Sequence, residues 1–326
     1  MHVAPRRLGS WGFETGEIGL GCMSMTGVYD VDQRVDQRSE ATIRRALDLG
    51  VTLVDTADSY GPFTNELLVG RALAGRRDDA IVATKVGLVG RSDGNLLRDG
   101  RPEHIASACD ASLRRLQRDQ IDLYVLQSLD PEIPASQTWD AMARTVRDGK
   151  VRGLGIMTRS VELLEFLQQI FPITAVYTQF SLWNQENRPV VDWCADRGIG
   201  VLATSPLGRG FLTGTIRPDR RFAWTDLRSR LAEFSSESLQ RDRWLLDAMR
   251  SVARRQRASM SQVALAWVLA QGPHIVPLQG TTRPDHLEEN VRAADLLLTD
   301  LDTRQLAGED VSEELDELLF GGTAEP

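Results

Sequence analysis

Asp55, Tyr60, Lys85 and Gln127 fall at or just beyond the ends of three consecutive strand-like runs in the first half of the chain. Val51-Thr52-Leu53-Val54 leads into Asp55 and, a short turn later, Tyr60; residues 80–84 lead into Lys85; residues 121–126 lead into Gln127. If these strands are parallel neighbours, the four side chains meet at one end of a sheet. A carboxylate, a phenol and an amine brought together there make a tuned acid. Lys85 is the sharpest member: among 38 Lys plus Arg, only Lys85 and Lys150 are lysine. Arg stays protonated in proteins, whereas a buried Lys shifts its pKa readily. A free phenol titrates near pH 10, too high for easy proton exchange at neutral pH, and a buried ammonium beside it lowers that value. Asp55 and Lys85 also fit an ordinary buried ion pair, since structural pairs perturb pKa values too.

The elements that must position these groups follow from the hydrophobic pattern. Short apolar runs begin at Ile18, Val51, Ala80, Ile121, Val151, Ile173, Ile199 and Ile275, and helical patterns separate them. Asn65 is placed to cap a helix running to Leu73, Pro102 to open another, and Ser160 to cap a third. Ser259 and Gln262 form a capping box, and residues 285–294 make the last helix of the series. Eight strand–helix units in about 280 residues fit a (β/α)8 TIM barrel, whose active sites lie at the C-terminal ends of the strands. The chain reads as a single domain over residues 1–326. Residues 208–238 form an unusually long connection, of the kind that is either a functional lid or disordered. Trp183, Phe211, Phe222 and Trp224 are candidates to line a bulky apolar pocket, and Trp139, Trp193, Trp244 and Trp267 to be core. From Leu301 the pattern predicts a surface helix and then a frayed end.

Composition narrows the partners. The net charge of -8 speaks against nucleic acid and against an anionic membrane surface. No apolar run approaches the length of a membrane span. Cys22, Cys109 and Cys194 are scattered and odd in number, and read as reduced thiols of a cytoplasmic protein. The four histidines lack metal-ligand spacing, so no metal site is expected.

In order along the chain, Ile18-Gly19-Leu20-Gly21-Cys22-Met23-Ser24-Met25, Val54-Asp55-Thr56-Ala57-Asp58-Ser59-Tyr60-Gly61, Ala83-Thr84-Lys85, Gly149-Lys150-Val151-Arg152, Ser205-Pro206-Leu207-Gly208-Arg209-Gly210 and Leu287-Glu288-Glu289-Asn290 resemble the motifs of the aldo-keto reductases. The resemblance spans nearly the whole chain. It implies a barrel that binds NADP(H) without a Rossmann motif and transfers hydride to a small-molecule carbonyl. By position, Tyr60 resembles the family's proton donor, Lys85 the neighbour that lowers its pKa, and Asp55 the carboxylate that holds Lys85. The resemblance assigns the cofactor to Gly21, Cys22, Met23 and Asp55 at one side, and to Met157, Thr158 and Tyr177 around the nicotinamide. It assigns the phosphates and adenosine to Ser205, Leu207, Arg209, Gly280, Thr281, Arg283, Glu289 and Asn290, with Arg283 on the 2′-phosphate.

The pattern also breaks. The family's usual catalytic His stands here as Gln127, which can donate an N–H but cannot relay a proton. Met157 and Thr158 replace the usual Ser and the Asn or Glu that follows it. Tyr177 stands where a Gln usually binds the carboxamide, and Thr204 where an aromatic ring usually stacks. Three functions fit this mixture: an NADP(H)-dependent reductase of a carbonyl or conjugated ketone, a dehydratase or isomerase on the same scaffold, and a non-enzymatic NADP-binding redox sensor.

Overall fold

The computed structural model describes residues 4–9, 13–27, 29, 35–90 and 96–315. The chain begins with an antiparallel hairpin, β1 (Pro5–Leu8) and β2 (Phe13–Gly16), followed by β3 (Gly19–Gly21), α1 (Asp36–Asp48), β4 (Leu53–Asp55), α2 (Thr64–Ala72) and β5 (Ile81–Val86). A second hairpin, β6 (Leu88–Gly90) and β7 (Leu96–Arg98), precedes α3 (Pro102–Leu116), β8 (Ile121–Leu126), α4 (Ala135–Arg147), β9 (Val151–Met157) and α5 (Val161–Ile170). Then come β10 (Ala175–Gln179), α6 (Arg188–Arg197), β11 (Gly200–Thr204), α7 (Ser236–Arg241), α8 (Arg243–Gln256), α9 (Met260–Leu269), β12 (Ile275–Gly280), α10 (Pro284–Val291) and α11 (Asp300–Leu306). Strands β3, β4, β5, β8, β9, β10, β11 and β12 pair in parallel, in that order, and β12 returns to β3 to close a barrel. The expected (β/α)8 barrel is therefore the fold.

Its strands read as continuous apolar runs because both faces are covered; all six residues of β8 are buried. Outward side chains such as Val54, Tyr124 and Ile156 join the helices in the larger core, while Leu53, Leu123, Val125, Leu202 and Val276 fill the barrel itself. The hairpin β1–β2 closes the far end of the barrel. Leu8 and Phe13 belong to the interior cluster, and Arg6 donates to the carbonyl of Ile275 at 2.6 Å. Gly200 permits this close approach, since a Cβ there would sit 2.3 Å from the Leu8 side chain.

Several expected details differ. Neither hairpin was expected: their strands are three or four residues long, too short for alternation to show. Asn65 is not a cap. It lies inside α2, fully buried, accepting from Thr56 Oγ1 (2.6 Å) and donating to the Cys22 carbonyl (2.8 Å) and to Thr26 Oγ1 (2.9 Å). Tertiary hydrogen bonds have overridden the local preference of Asn for a helix end. The caps at Ser160 and the Ser259–Gln262 box are as expected. The last barrel helix ends earlier than expected, at Val291, and continues as a 3-10 turn over Arg292–Asp295. The 208–238 connection folds into 3-10 turns at Gly208–Thr213, Leu227–Arg230 and Ala232–Phe234 before α7. Trp139, Trp193 and Trp267 are core, but Trp244 lies half exposed on α8. Residues beyond 315, where the frayed end was expected, lie outside the described residues.

Candidate active site

The register of the barrel brings the opening residues together. Asp55 is the last residue of β4 and pairs with Ala83; Lys85 lies two residues on along β5, on the same inward face. Lys85 is 1% exposed. Its ammonium donates to Asp55 Oδ1 (2.6 Å), Asp55 Oδ2 (2.7 Å) and the Thr56 carbonyl (2.7 Å). It also lies 4.9 Å from the centre of the Tyr60 ring and interacts with that phenol electrostatically. The turn that carries Tyr60 is pinned to β5: the Thr56 N–H donates to the Ala83 carbonyl (2.9 Å) and the Asp58 N–H to the Lys85 carbonyl (3.3 Å). Gly61 completes the turn at φ 62°, a left-handed conformation that favours glycine.

Tyr177 adds a contact that sequence reasoning missed. Its ring is buried in the barrel, and its hydroxyl donates to Asp55 Oδ1 at 2.9 Å. Asp55 thus accepts three hydrogen bonds from two groups, two from Lys85 and one from Tyr177. Burial pushes the Asp55 carboxyl up, while Lys85 and Tyr177 pull it back. For Lys85 burial favours the neutral amine, but Asp55 and Tyr60 outweigh it and hold the ammonium above its ordinary range. Lys85 acts on Tyr60 in the expected direction, drawing the phenol down, but it does not set the net direction. Burial, the largest influence, pushes the phenol up; Lys85 draws it down but only in part. Tyr60 is therefore held as the neutral acid at neutral pH.

Gln127 follows β8, its own N–H donating to the Val86 carbonyl at 2.8 Å. Ser59 Oγ donates to Gln127 Oε1 at 3.0 Å. That bond occupies the amide oxygen and leaves the amide nitrogen as the group offered to a ligand. Ser59 was unremarkable in the sequence, because its partner is 68 residues away.

A cavity of about 870 Å³ opens over these groups at the C-terminal mouth of the barrel. Tyr60, Lys85, Asp55 and Gln127 line its floor, together with Gly21 and Met23 after β3. Met157, Thr158 and Tyr177 line it from β9 and β10, and Ser205, Leu207 and Arg209 from the loop after β11. Gly280, Thr281, Glu289 and Asn290 line it from β12 and α10. Two expected contacts stand apart. Cys22 is turned into the core between barrel and helices, its thiol driven up by burial. Arg283 is outside the cavity wall, half exposed and forked onto Asp285. His286, one turn along α10, lines the cavity instead.

The expected aromatic pocket is also corrected. Trp183 stacks on Phe211 (4.2 Å between centres) and meets the edge of Phe234, which in turn meets Phe222. These rings pack together beneath the 208–238 connection rather than lining the cavity, and Trp224 is 79% exposed. The wall on that side is built by Tyr29, Leu227, Arg228 and Met260, with the Arg228 guanidinium 5.0 Å from the Tyr29 ring centre. Gln179 was a further omission. It lies two residues beyond Tyr177 on the same face of β10, lines the cavity, and accepts from Arg209 at 3.5 Å. The period of two along the strand was the signal that could have found it.

The cavity suits a large polar ligand. The hydroxyls of Ser24 and Thr178 are buried without a protein partner, and both residues line it. The aldo/keto reductase family model matches residues 17–308. A probable aldo-keto reductase 1 from Glycine max is 35% identical over 307 residues, 94% of this chain and 88% of that one. Among solved structures, the glycerol dehydrogenase AKR11B4 from Gluconobacter oxydans superposes with a TM-score of 0.83 at 28% identity, covering 99% and 98% of the two chains. The aldo-keto reductase AKR11C1 from Bacillus halodurans gives 0.76 at 26% identity, covering 94% and 96%.

Proposed function

This chain belongs to the aldo/keto reductase family, and from that premise we propose that it reduces a carbonyl or conjugated ketone of a medium-sized organic substrate with NADP(H), Tyr60 being the proton donor. The observation that carries this reading is the buried Asp55–Lys85 pair with the half-buried Tyr60 beside it at the floor of the mouth cavity. When bound, the reduced nicotinamide supplies the hydride. The cofactor would be held by Gly21 and Met23, by Met157, Thr158, Tyr177 and Gln179, and by Ser205, Leu207 and Arg209. Gly280, Thr281, Glu289 and Asn290 complete the set at the far end, near the N-terminus of α10.

The chain's own groups then divide the work on the substrate oxygen. Gln127 donates an amide N–H to it, and Tyr60 delivers a proton as negative charge develops there. Lys85, already protonated, stabilises the phenolate left behind. Asp55, held from the other side by Tyr177, keeps Lys85 in place. Incubating the protein with NADPH and a panel of aldehydes and ketones, and following loss of the reduced-nicotinamide absorbance, tests the reading. Absence of turnover across the panel despite tight NADPH binding would favour the redox-sensor or the dehydratase/isomerase alternative.

Ser59 acts here as a positioning residue for Gln127. A single neutral hydrogen bond is worth about 1 kcal/mol, or roughly fivefold. Ser59→Ala should therefore lower kcat about fivefold and leave the KM for NADPH unchanged, and Ser59→Thr should restore it. An unchanged kcat in Ser59→Ala would mean that the amide needs no such orientation.

Arg283 is the candidate for the 2′-phosphate of NADP, to be reached by exchanging Asp285 for the phosphate. Charge-assisted hydrogen bonds are worth about 1.5–3 kcal/mol. Arg283→Ala should weaken NADPH binding by roughly 10–100-fold and NADH binding hardly at all, as read by fluorescence titration. Equal losses for the two nucleotides would remove Arg283 from this role and leave His286, which lines the cavity, as the alternative.

A further inference from the structure

A second cleft, of about 300 Å³, lies between the catalytic turn, α3 and the β6–β7 hairpin, and shares no lining residue with the mouth cavity. Its polar groups are unusually arranged. Asp58 is 3% exposed, and its Oδ1 has no hydrogen-bond partner. His104 Nε2 is also buried without a partner, while its Nδ1 faces Asp99 Oδ2 at 3.7 Å. The unpartnered Nε2 and the unpartnered Asp58 Oδ1 thus belong to two residues that line the same cleft.

Among the described residues, the donors that line the cleft are committed elsewhere. Arg115 donates to Glu66 Oε2 (2.6 Å) and Ser112 Oγ (3.2 Å), and its guanidinium covers the Phe63 ring. Ser107 Oγ donates to the His104 carbonyl (3.1 Å). Arg115 balances Glu66, and Lys85 balances Asp55, so among the described residues no cation is paired with the Asp58 carboxylate. Val89, Ala108 and Ala111 supply an apolar wall. A ligand for this cleft must bring hydrogen-bond donors, a positive charge and a short apolar body. A hard metal ion is a poor match, because it needs several oxygen ligands and no group of three ligating side chains is found among the described residues.

We propose that this cleft binds a small primary alkylammonium ion, whose N–H groups donate to Asp58 Oδ1 and His104 Nε2 while its chain packs on Val89, Ala108 and Ala111. The site is independent of the reductase reading. It adjoins the catalytic turn, since the Asp58 N–H donates to the Lys85 carbonyl. Burial and the nearby Glu66 push the Asp58 carboxyl up to about 7, against the pull of Arg115, the Ser59 N–H and Lys85. The cation needs the ionised form, so binding is measured at about pH 8.

The test is a titration of the full chain, labelled with 13C at histidine Cε1, with n-propylammonium chloride. The His104 resonance is assigned by its loss in His104→Gln. The expected result is a saturable shift of that resonance in the millimolar range, absent in Asp58→Asn. Tetramethylammonium chloride at the same ionic strength, which carries no N–H, should leave the resonance in place. Circular dichroism checks the variants' fold. If Asp58→Asn does not fold, Ala111→Leu fills the cleft, keeps the carboxylate, and should likewise abolish the shift. No saturable shift, an equal response to tetramethylammonium, or a response that survives Asp58→Asn or a folded Ala111→Leu overturns the proposal and leaves a cleft that holds water.

Discussion

Tyr60→Phe should lose about 10²–10⁴-fold in kcat for carbonyl reduction, the range expected for removal of a general acid. The ring stays, and so does its packing; only the transferable proton goes. NADPH affinity should hold, because neither the phosphate loop after β11 nor the α10 end of the cavity is touched. The pH dependence carries a second signature. Burial raises the Tyr60 pKa above its ordinary value despite Lys85, so the donor form persists through neutral pH. The rate of reduction should fall only as pH rises into the strongly alkaline range, where the phenol ionises. Gln127 does not titrate, so no imidazole limb should appear near pH 6–7. Single-turnover kinetics with saturating NADPH check both points. Full turnover in Tyr60→Phe would place the chemistry on other residues.

Lys85→Met should be the most damaging single change to both fold and activity. It removes every donor that the ammonium supplies to Asp55 and to the Thr56 carbonyl, and strands a carboxylate in the barrel interior with the Tyr177 hydroxyl as its remaining side-chain partner. Breaking a buried pair by deleting one member costs about 3–5 kcal/mol. The double variant Asp55→Asn/Lys85→Met removes the stranded charge and should recover most of that stability in urea melts. It should recover none of the turnover, since Tyr60 then lacks the cation that stabilises its phenolate. If Lys85→Met alone melts like the parent, Asp55 is not a buried anion, and the ion pair does not exist in the form described.

The fold was legible along the chain because its two periods are local. Both-face burial makes each barrel strand an unbroken apolar run, and Pro102, Ser160 and the Ser259–Gln262 box mark helix starts by their own chemistry. The same locality explains the failures. The hairpins are too short to show alternation, and Asn65, a plausible cap by type, is captured by Thr56, Cys22 and Thr26. Trp244 shows the converse: a ring on a helix says nothing of which way the helix faces, and this one faces solvent.

For the site, the residue types of Asp55, Tyr60 and Lys85 and their places at strand ends were determined by the sequence, because a parallel barrel gathers such ends at one rim. What those groups do to one another was decided by the tertiary structure. Ser59 orients Gln127 across 68 residues, and Tyr177 holds Asp55 across 122. Neither spacing has a local signal, since both contacts exist only once the strands are closed into register. The balance on Tyr60 was decided there too. Charge partners can be named from a sequence, but desolvation depends on how completely the folded chain excludes water, and around Tyr60 that exclusion outweighs Lys85.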